Sequence, residues 1–335
     1  MSSEFAELFL KKIPLIDVRA PIEFQAGHLP HSINLPLMTD HERHLVGICY
    51  KEQGQESAIK LGHELVSGEN KNNKIQAWIE FLKKNPSAQV LCLRGGLRSQ
   101  ISCQWITGAG IHRKPIPGGY KRLRQYLLSQ LDDLPLPKFV RLGGMTGTGK
   151  TDLLRTLPHF IDLEELAHHR GSAFGDHGPQ PSQASFENAL GASLIERECV
   201  VVEDESTRLG NVRIPNRFFL HMQAAPLVIL EVPLEERVAT IYREYVEPNN
   251  QDFFKERIKR ISKKLGGQRT REMLEQLERA FQGAQSQAAH SGWIGQLLTE
   301  YYDPAYEFSL SKHKQKIVFR GGADEVKDFL LKLKL

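Results

Sequence analysis

Residues 144 to 151 read Gly144-Met145-Thr146-Gly147-Thr148-Gly149-Lys150-Thr151, directly after the apolar run Phe139-Val140-Arg141-Leu142-Gly143 and directly before Asp152-Leu153-Leu154-Arg155-Thr156-Leu157. This is G-x-x-x-x-G-K-[ST] in the strand, loop and helix setting that the motif requires. With glycine near its usual frequency, the pattern arises by chance in about one chain in a hundred of this length. The glycines let consecutive backbone N–H groups face one concavity, to which the helix N-terminus adds its positive end. Gly144, Thr146, Gly147, Thr148, Gly149 and Lys150 are therefore the expected phosphate-binding residues, with Thr151 offering its hydroxyl to a magnesium ion. The motif does not distinguish ATP or GTP from another diphosphate. A strand that ends in such a loop also predicts an open, mainly parallel α/β sheet with the ligand at its C-terminal edge.

The rest of the chain fits that frame. Its 335 residues amount to about two domains at roughly 100 to 200 residues each. Hydrophobic content of 40%, charged content of 25% and a mean hydropathy of -0.37 are those of a soluble globular protein. No run approaches the ~18 apolar residues of a membrane helix. Glu4 and Glu7 precede any apolar run and no basic n-region is present, so a signal peptide and a membrane partner are not expected and the cytoplasm is the expected location. Apolar strands are expected at 14–19 and 89–93, with an amphipathic helix at 75–84 between them. Two prolines and two aspartates break the pattern at 131–139 and place a boundary there. The expected division is an α/β domain over 1–133 and a phosphate-loop domain over 134–335. The latter has further strands at 199–203 and 227–232, a helical stretch at 234–298, a strand at 316–320 and a terminal helix. Asp204 or Glu203, at the end of the strand from Cys199, is the candidate partner of Thr151 at magnesium; three adjacent acids are equally a solvated strand end.

The four cysteines, Cys49, Cys92, Cys103 and Cys199, fit neither a disulfide framework nor a CxxC metal site. Cys92 stands apart because it ends the strand around Val90 and opens Leu93-Arg94-Gly95-Gly96-Leu97-Arg98-Ser99. Loop N–H groups, a helix dipole and the two arginines Arg94 and Arg98 favour a thiolate and can cradle an oxyanion. Cys92, Arg94 and Arg98 are the catalytic candidates.

Upstream lie Asp17-Val18-Arg19-Ala20-Pro21-Ile22-Glu23-Phe24 and Gly27-His28-Leu29-Pro30-His31-Ser32-Ile33-Asn34-Leu35-Pro36; with the cysteine loop these segments resemble a rhodanese domain. The resemblance implies that Cys92 carries a transferable chalcogen and that Asp17, Arg19 and Glu23 brace the fold, with His28 and His31 as turn and core residues. The glycine pair in the loop departs from the commonest thiosulfate-active form, which leaves the donor open. Further segments extend the resemblance: 164–175 (EELAHHRGSAFG), Gln180-Pro181-Ser182-Gln183, Phe186-Glu187-Asn188, Glu203-Asp204-Glu205 and Tyr301-Tyr302-Asp303-Pro304. Nearly the whole chain resembles the tRNA 2-selenouridine synthase family. That resemblance implies replacement of the sulfur of a wobble 2-thiouridine by selenium from selenophosphate, through S-geranylation from geranyl diphosphate. The phosphate loop then holds the diphosphate with Mg2+, and Cys92 serves the selenium step, as a perselenide or by transient attack on the base. A selenophosphate-supplying enzyme is an implied partner. Phe174, Phe186 and Phe218 to Leu220 are candidates for a prenyl pocket, with ordinary core packing the commoner role of such residues.

Residues 255–271 hold eight Lys and Arg against Glu256, a net of +7 in a chain whose formal total is +4. Lys255, Arg257, Lys259, Arg260, Lys263 and Lys264 are accordingly the candidate tRNA contacts, with a solvated helix face as the simpler alternative. A second basic run is Arg113, Lys114, Lys121, Arg122 and Arg124, and Tyr301, Tyr302 and Tyr306 are candidates for stacking on a base or for the core. Two rival readings share these residues. One is an ATP-dependent tRNA uridine sulfurtransferase working through a Cys92 persulfide; the other is a GTP switch with an inert rhodanese-like scaffold.

Overall fold

A computed structural model describes residues 2–133, 135–171, 174–175, 178–283, 286–312 and 314–333. The chain divides into two compact units, Met1–Pro135 with Pro181–Ile195, and Leu136–Gln180 with Glu196–Leu335.

The first unit is built on three short parallel strands, β1 (Leu15–Asp17), β2 (Ser32–Asn34) and β3 (Gln89–Leu91), in the order β2-β1-β3. Alternation along them feeds two cores. Ile16 and Val90 face Trp78, Ile106 and Cys103, whereas Leu15 and Leu91 face Phe5, Leu123 and Leu127. β1 ends sooner than its apolar run because the Asp17 carboxylate accepts the Arg19 backbone N–H at 3.0 Å and turns the chain. A helix spans Asp40–Leu65 and is interrupted at Gly54 (φ 84), and the next helix spans Gly68–Lys84. Gly62 lies opposite Val46, so the two arms of the first helix fold back on each other. The helix Gln183–Ser193 also belongs to this unit, although it follows the phosphate loop in sequence. Arg124 ties it down, bonding the Ala184 carbonyl at 2.9 Å, Asn188 at 2.8 Å and Glu187 at 2.6 Å.

The second unit carries five parallel strands: β4 (Lys138–Gly144), β5 (Phe160–Ile161), β6 (Cys199–Glu203), β9 (Leu227–Leu230) and β10 (Ile317–Gly321), in the order β10-β9-β4-β6-β5; β7 (Arg208–Leu209) and β8 (Val212–Arg213) form a separate antiparallel pair. Every residue of β6 and β9 is buried, as strands covered on both faces require. Register pairs Leu142 of β4 with Glu203 of β6. Val140, Leu142 and Val201 pack on one face with Leu153 and Leu154 of the helix Lys150–Arg155. The expected helical stretch is present as Leu234–Ile241, Gln251–Leu265, Gly267–Gln282, Gln287–Leu297 and Asp303–Ser311, with π-helical turns at Tyr242–Val246 and Leu298–Tyr302. Phe254, Ile258, Met273, Leu277 and Trp293 form its core. No described helix is long and apolar enough to cross a membrane. These are the two α/β units and the helical C-terminal part that the sequence leads one to expect.

Candidate functional site

The phosphate loop leaves β4 at Gly144 and enters its helix at Lys150. Gly147 sits at φ 82, where a side chain would also strike the Arg237 carbonyl, so only glycine fits. The Lys150 ammonium donates to the carbonyls of Gly144 (2.8 Å) and Met145 (3.3 Å), folded over the loop. From below, Arg237 donates to the Thr146 carbonyl at 2.9 Å and forks onto the Asp303 carboxylate at 3.1 and 2.5 Å, with Arg237 itself 3% exposed. Sequence reading missed Arg237. Its signal was faint, a lone arginine on the buried side of an otherwise ordinary amphipathic helix.

The Thr151 hydroxyl donates to Glu203 Oε1 at 2.7 Å. Burial pushes the Glu203 carboxyl up to about 8, with the charges of Glu164 and Asp162 adding to the rise and Thr151 and Lys150 opposing it. Its second oxygen, Oε2, is buried without a hydrogen-bond partner. Asp204 has a different partner. It pairs at 2.8 Å with Arg141, a fully buried guanidinium in the middle of β4 that also bonds Gln223. Of the two candidate acids, Glu203 is therefore bonded to Thr151, whereas Asp204 lines the same cavity with its carboxylate paired to Arg141. A hard cation fits at Glu203, because one unpartnered carboxylate oxygen, one hydroxyl and the oxygens of a diphosphate form the donor set that magnesium takes. Among the described residues no group of three or more His, Cys, Asp or Glu side chains is arranged around a metal.

The loop, Asp204 and Glu205 open on a cavity of about 1000 Å³, lined also by Arg170, Tyr245, Tyr302 and Tyr306. Arg170 pairs with Glu244 at 2.7 Å and lies over the Tyr245 ring. Glu205 titrates well above the ordinary carboxylate range and Glu164 above its usual value, in both first through desolvation and then, for Glu205, because of Glu164 and Glu203. Both π-helical turns deliver residues to this cavity, a placement typical of such turns. Ser172 and Ala173 of the neighbouring segment lie outside the described residues.

In the first unit, Cys92 Sγ lies 3.1 Å from Ser99 Oγ and is 3% exposed. Behind the loop, Gly119 (φ 55) approaches so closely that a side chain would collide with the Cys92 carbonyl. Arg98 is held by Glu23 at 2.5 Å, and Arg43 meets the same carboxylate at 3.2 Å. Burial opposes ionisation of Glu23, yet these arginines hold it below the usual carboxylate range, Arg98 foremost. Arg94 is exposed at the loop tip. Asp17 and Arg19 form a buried ion pair at 2.6 Å, with Arg19 stacked over Tyr120. His28 bonds Ser185 at 3.0 Å and stacks on Phe24, a structural role. Burial raises the Cys103 thiol to about 11, which makes it a poor nucleophile near neutrality.

The basic helix separates into two groups. Arg257 is buried over the Phe253 ring, Lys255 pairs with Glu278 and Arg260 with Glu256, while Lys259, Lys263 and Lys264 are exposed. In the second basic run, Arg113 bonds the backbone carbonyls of Pro86 and Ala88, and Arg124 is taken up by the 183–193 helix. The phenylalanine candidates separate: Phe219 lines the phosphate-loop cavity, and the other three go to the core. Phe174 packs with Phe254 in the helical core, Phe218 on Phe139, and Phe186 is fully buried in the first unit, each having been drawn into ordinary core by its size.

Known proteins share both halves. Residues 2–104 match the family described as rhodanese-like domain, and residues 137–334 match the one described as tRNA 2-selenouridine synthase AAA domain. Curated relatives named tRNA 2-selenouridine synthase include those of Sulfurovum sp. (44% identical over 98% of this chain and 97% of that one) and Hydrogenovibrio crunogenus (44%, 98% of each). The protein of the same name from Shewanella denitrificans is 45% identical over 96% of this chain and 94% of its own.

Proposed function

The chain belongs to the tRNA 2-selenouridine synthase family, and from that premise we propose an enzyme that replaces the sulfur of a wobble 2-thiouridine in tRNA by selenium, in two steps. In the first, the thiouridine sulfur attacks C1 of geranyl diphosphate; the S–C1 bond forms, the C1–O bond breaks with its electron pair on pyrophosphate, and N3 of the base gives up its proton. The phosphate loop N–H groups and Lys150 hold the diphosphate and neutralise the departing pyrophosphate. Thr151 and Glu203 are the residues to hold magnesium, which when bound adds charge stabilisation to the leaving group.

In the second step, the Cys92 thiolate adds at C2 and expels geranyl thiolate. Hydrogen selenide, released with phosphate from selenophosphate and water, then adds at C2 and expels Cys92, and its proton ends on N3. This sequence is redox-neutral, whereas a perselenide on Cys92 needs a further thiol to cleave the S–Se bond. Cys92 is 3% exposed, so its attack requires outward movement of the loop. Alkylation first makes chemical sense, since a thioether sulfur leaves more readily than a thiocarbonyl sulfur.

The observation that carries the reading is the coexistence of two sites with different chemistry: Lys150 and Thr151 on one cavity, with the buried Glu203 bonded to Thr151, and Cys92 with Arg98 at a separate loop. The tRNA contacts are assigned to the exposed Lys259, Lys263 and Lys264. Nucleoside mass spectrometry of 2-thiouridine tRNA, treated with geranyl diphosphate and then selenophosphate, tests it. Wild type should give the geranylated and then the selenium-containing nucleoside; Lys150→Ala should stop before the first and Cys92→Ser after it. Product that forms only with ATP, without a geranylated nucleoside, would replace this reading by the sulfurtransferase type of chemistry.

A further inference from the structure

The first unit contains a cleft that neither the phosphate loop nor the cysteine chemistry has used. Its volume is about 920 Å³, at the upper end of small-molecule sites. One wall is the cysteine loop and the helix Leu97–Gly108, through Leu93, Leu97, Ile101 and Trp105; the other is the folded-back helix Asp40–Leu65, through Val46 and Ile59. Ile48, Tyr50 and Leu97 remain 39%, 58% and 44% exposed at its mouth, an apolar concentration that a folded surface seldom carries without an occupant. The rim is cationic. Arg43, Lys51 and Arg98 border it against the single acid Glu23, which pairs with Arg43 and Arg98, and His44 and His63 complete the polar edge.

From this combination we infer that the cleft is the binding site for the isoprenoid chain carried on the uridine sulfur, held there while selenium replaces it. The inference rests on the geranylated intermediate of the proposed function. When C2 exchanges sulfur for selenium, entering and leaving atoms are bonded to the same carbon, so the chain on the leaving sulfur must lie within a few bond lengths of the attacking group. The C2–S bond breaks with its pair on sulfur, and geranyl thiolate departs into whatever surrounds the cysteine loop. Leu93 and Leu97, one and five residues after Cys92 in the same loop, open into this cleft. The cationic rim selects an apolar chain attached to a polyanion, as the S-alkylated nucleotide of an RNA is, over a free lipid or an apolar peptide. The phosphate-loop cavity, which takes the same chain while its diphosphate departs, is lined by residues of the second unit and by none of the cysteine loop, so it does not serve the selenium step.

The test uses full-length protein, selenophosphate and anticodon stem-loop RNA carrying either S-geranyl- or S-methyl-2-thiouridine. Wild type should favour the geranyl substrate in kcat/KM by on the order of a hundredfold, because a pocket discriminates by the apolar groups it buries. Ile48→Asp puts a charge at the mouth, and Gly62→Leu fills the cleft from a helix position whose added Cβ has room, 3.8 Å from Val46. Each should lower kcat/KM for the geranyl substrate at least tenfold, leave the methyl substrate unchanged, and leave geranylation of 2-thiouridine RNA unchanged. Variants that selenate the geranyl substrate like wild type, or that lose both substrates equally, overturn the cleft assignment alone. Wild-type protein that selenates neither alkylated RNA refutes the geranylated route itself, and the cleft assignment with it.

Discussion

Glu203 offers the sharpest quantitative test of the magnesium assignment. Its carboxyl titrates near 8, so at pH 7 it is mostly protonated, and a cation bound at Oε2 must first displace that proton. Apparent magnesium affinity then falls about tenfold for each pH unit below 8, or about fiftyfold between pH 8 and pH 6. The same shift sets a stability trend. The native carboxyl holds its proton up to about 8, whereas the unfolded one releases it near its ordinary value of 4.5. Between those values the native state binds more protons, so without metal, stability declines as pH rises through the window. Glu203→Gln keeps an acceptor for Thr151 but cannot titrate. Calorimetric titration of Mg2+ into protein saturated with inorganic pyrophosphate, in buffers of different ionisation enthalpy, counts the released proton. Comparing the variant with wild type cancels the titration of pyrophosphate. The reasoning is refuted if wild type and Glu203→Gln show the same pH slope between 6 and 8.

Other substitutions separate support from contact. Arg237→Met should destabilise the protein by about 3–5 kcal/mol in urea unfolding, because it strands Asp303 and frees the Thr146 carbonyl. Arg237→Met with Asp303→Leu should recover much of that stability yet still bind pyrophosphate weakly, which calorimetry reads. Replacing Lys259, Lys263 and Lys264 together by alanine should weaken tRNA binding and lower the slope of log affinity against log salt by about 2 to 3, whereas Arg257→Met should cost stability and leave that slope unchanged.

Sequence and structure agree best where the chemistry is written in consecutive residues. The phosphate loop and the cysteine loop are backbone devices whose glycines, lysine and thiol must be adjacent, and so both were legible. The choice between Glu203 and Asp204 was not, because it depends on which face of β6 meets the helix after the loop. Alternation puts Val201 and Glu203 with Val140 and Leu142 on that face and Asp204 with Arg141 on the other. Once the strand register is known, the assignment follows from parity. The placement of 183–193 in the first unit is set by Arg124 and Asn188, contacts about sixty residues apart that leave no local trace. Basic residues 255–271 formed a patch in sequence, but a helix distributes them around its axis, so Arg257 went to the core and Lys259, Lys263 and Lys264 to the surface. The apolar cleft was invisible for a similar reason. Ile48 and Ile59 come together only because the Asp40–Leu65 helix breaks at Gly54 and folds back.

In the proposed sequence the phosphate loop acts before the cysteine, on a different bond. Supplying purified Lys150→Ala protein with tRNA already carrying S-geranyl-2-thiouridine, together with selenophosphate, tests that order directly by nucleoside mass spectrometry. The expected result is 2-selenouridine at close to the wild-type rate, with Cys92→Ser inactive on the same substrate. If Lys150→Ala remains inactive on geranylated tRNA, the phosphate loop takes part in selenium transfer itself and the division of labour between the two sites is wrong.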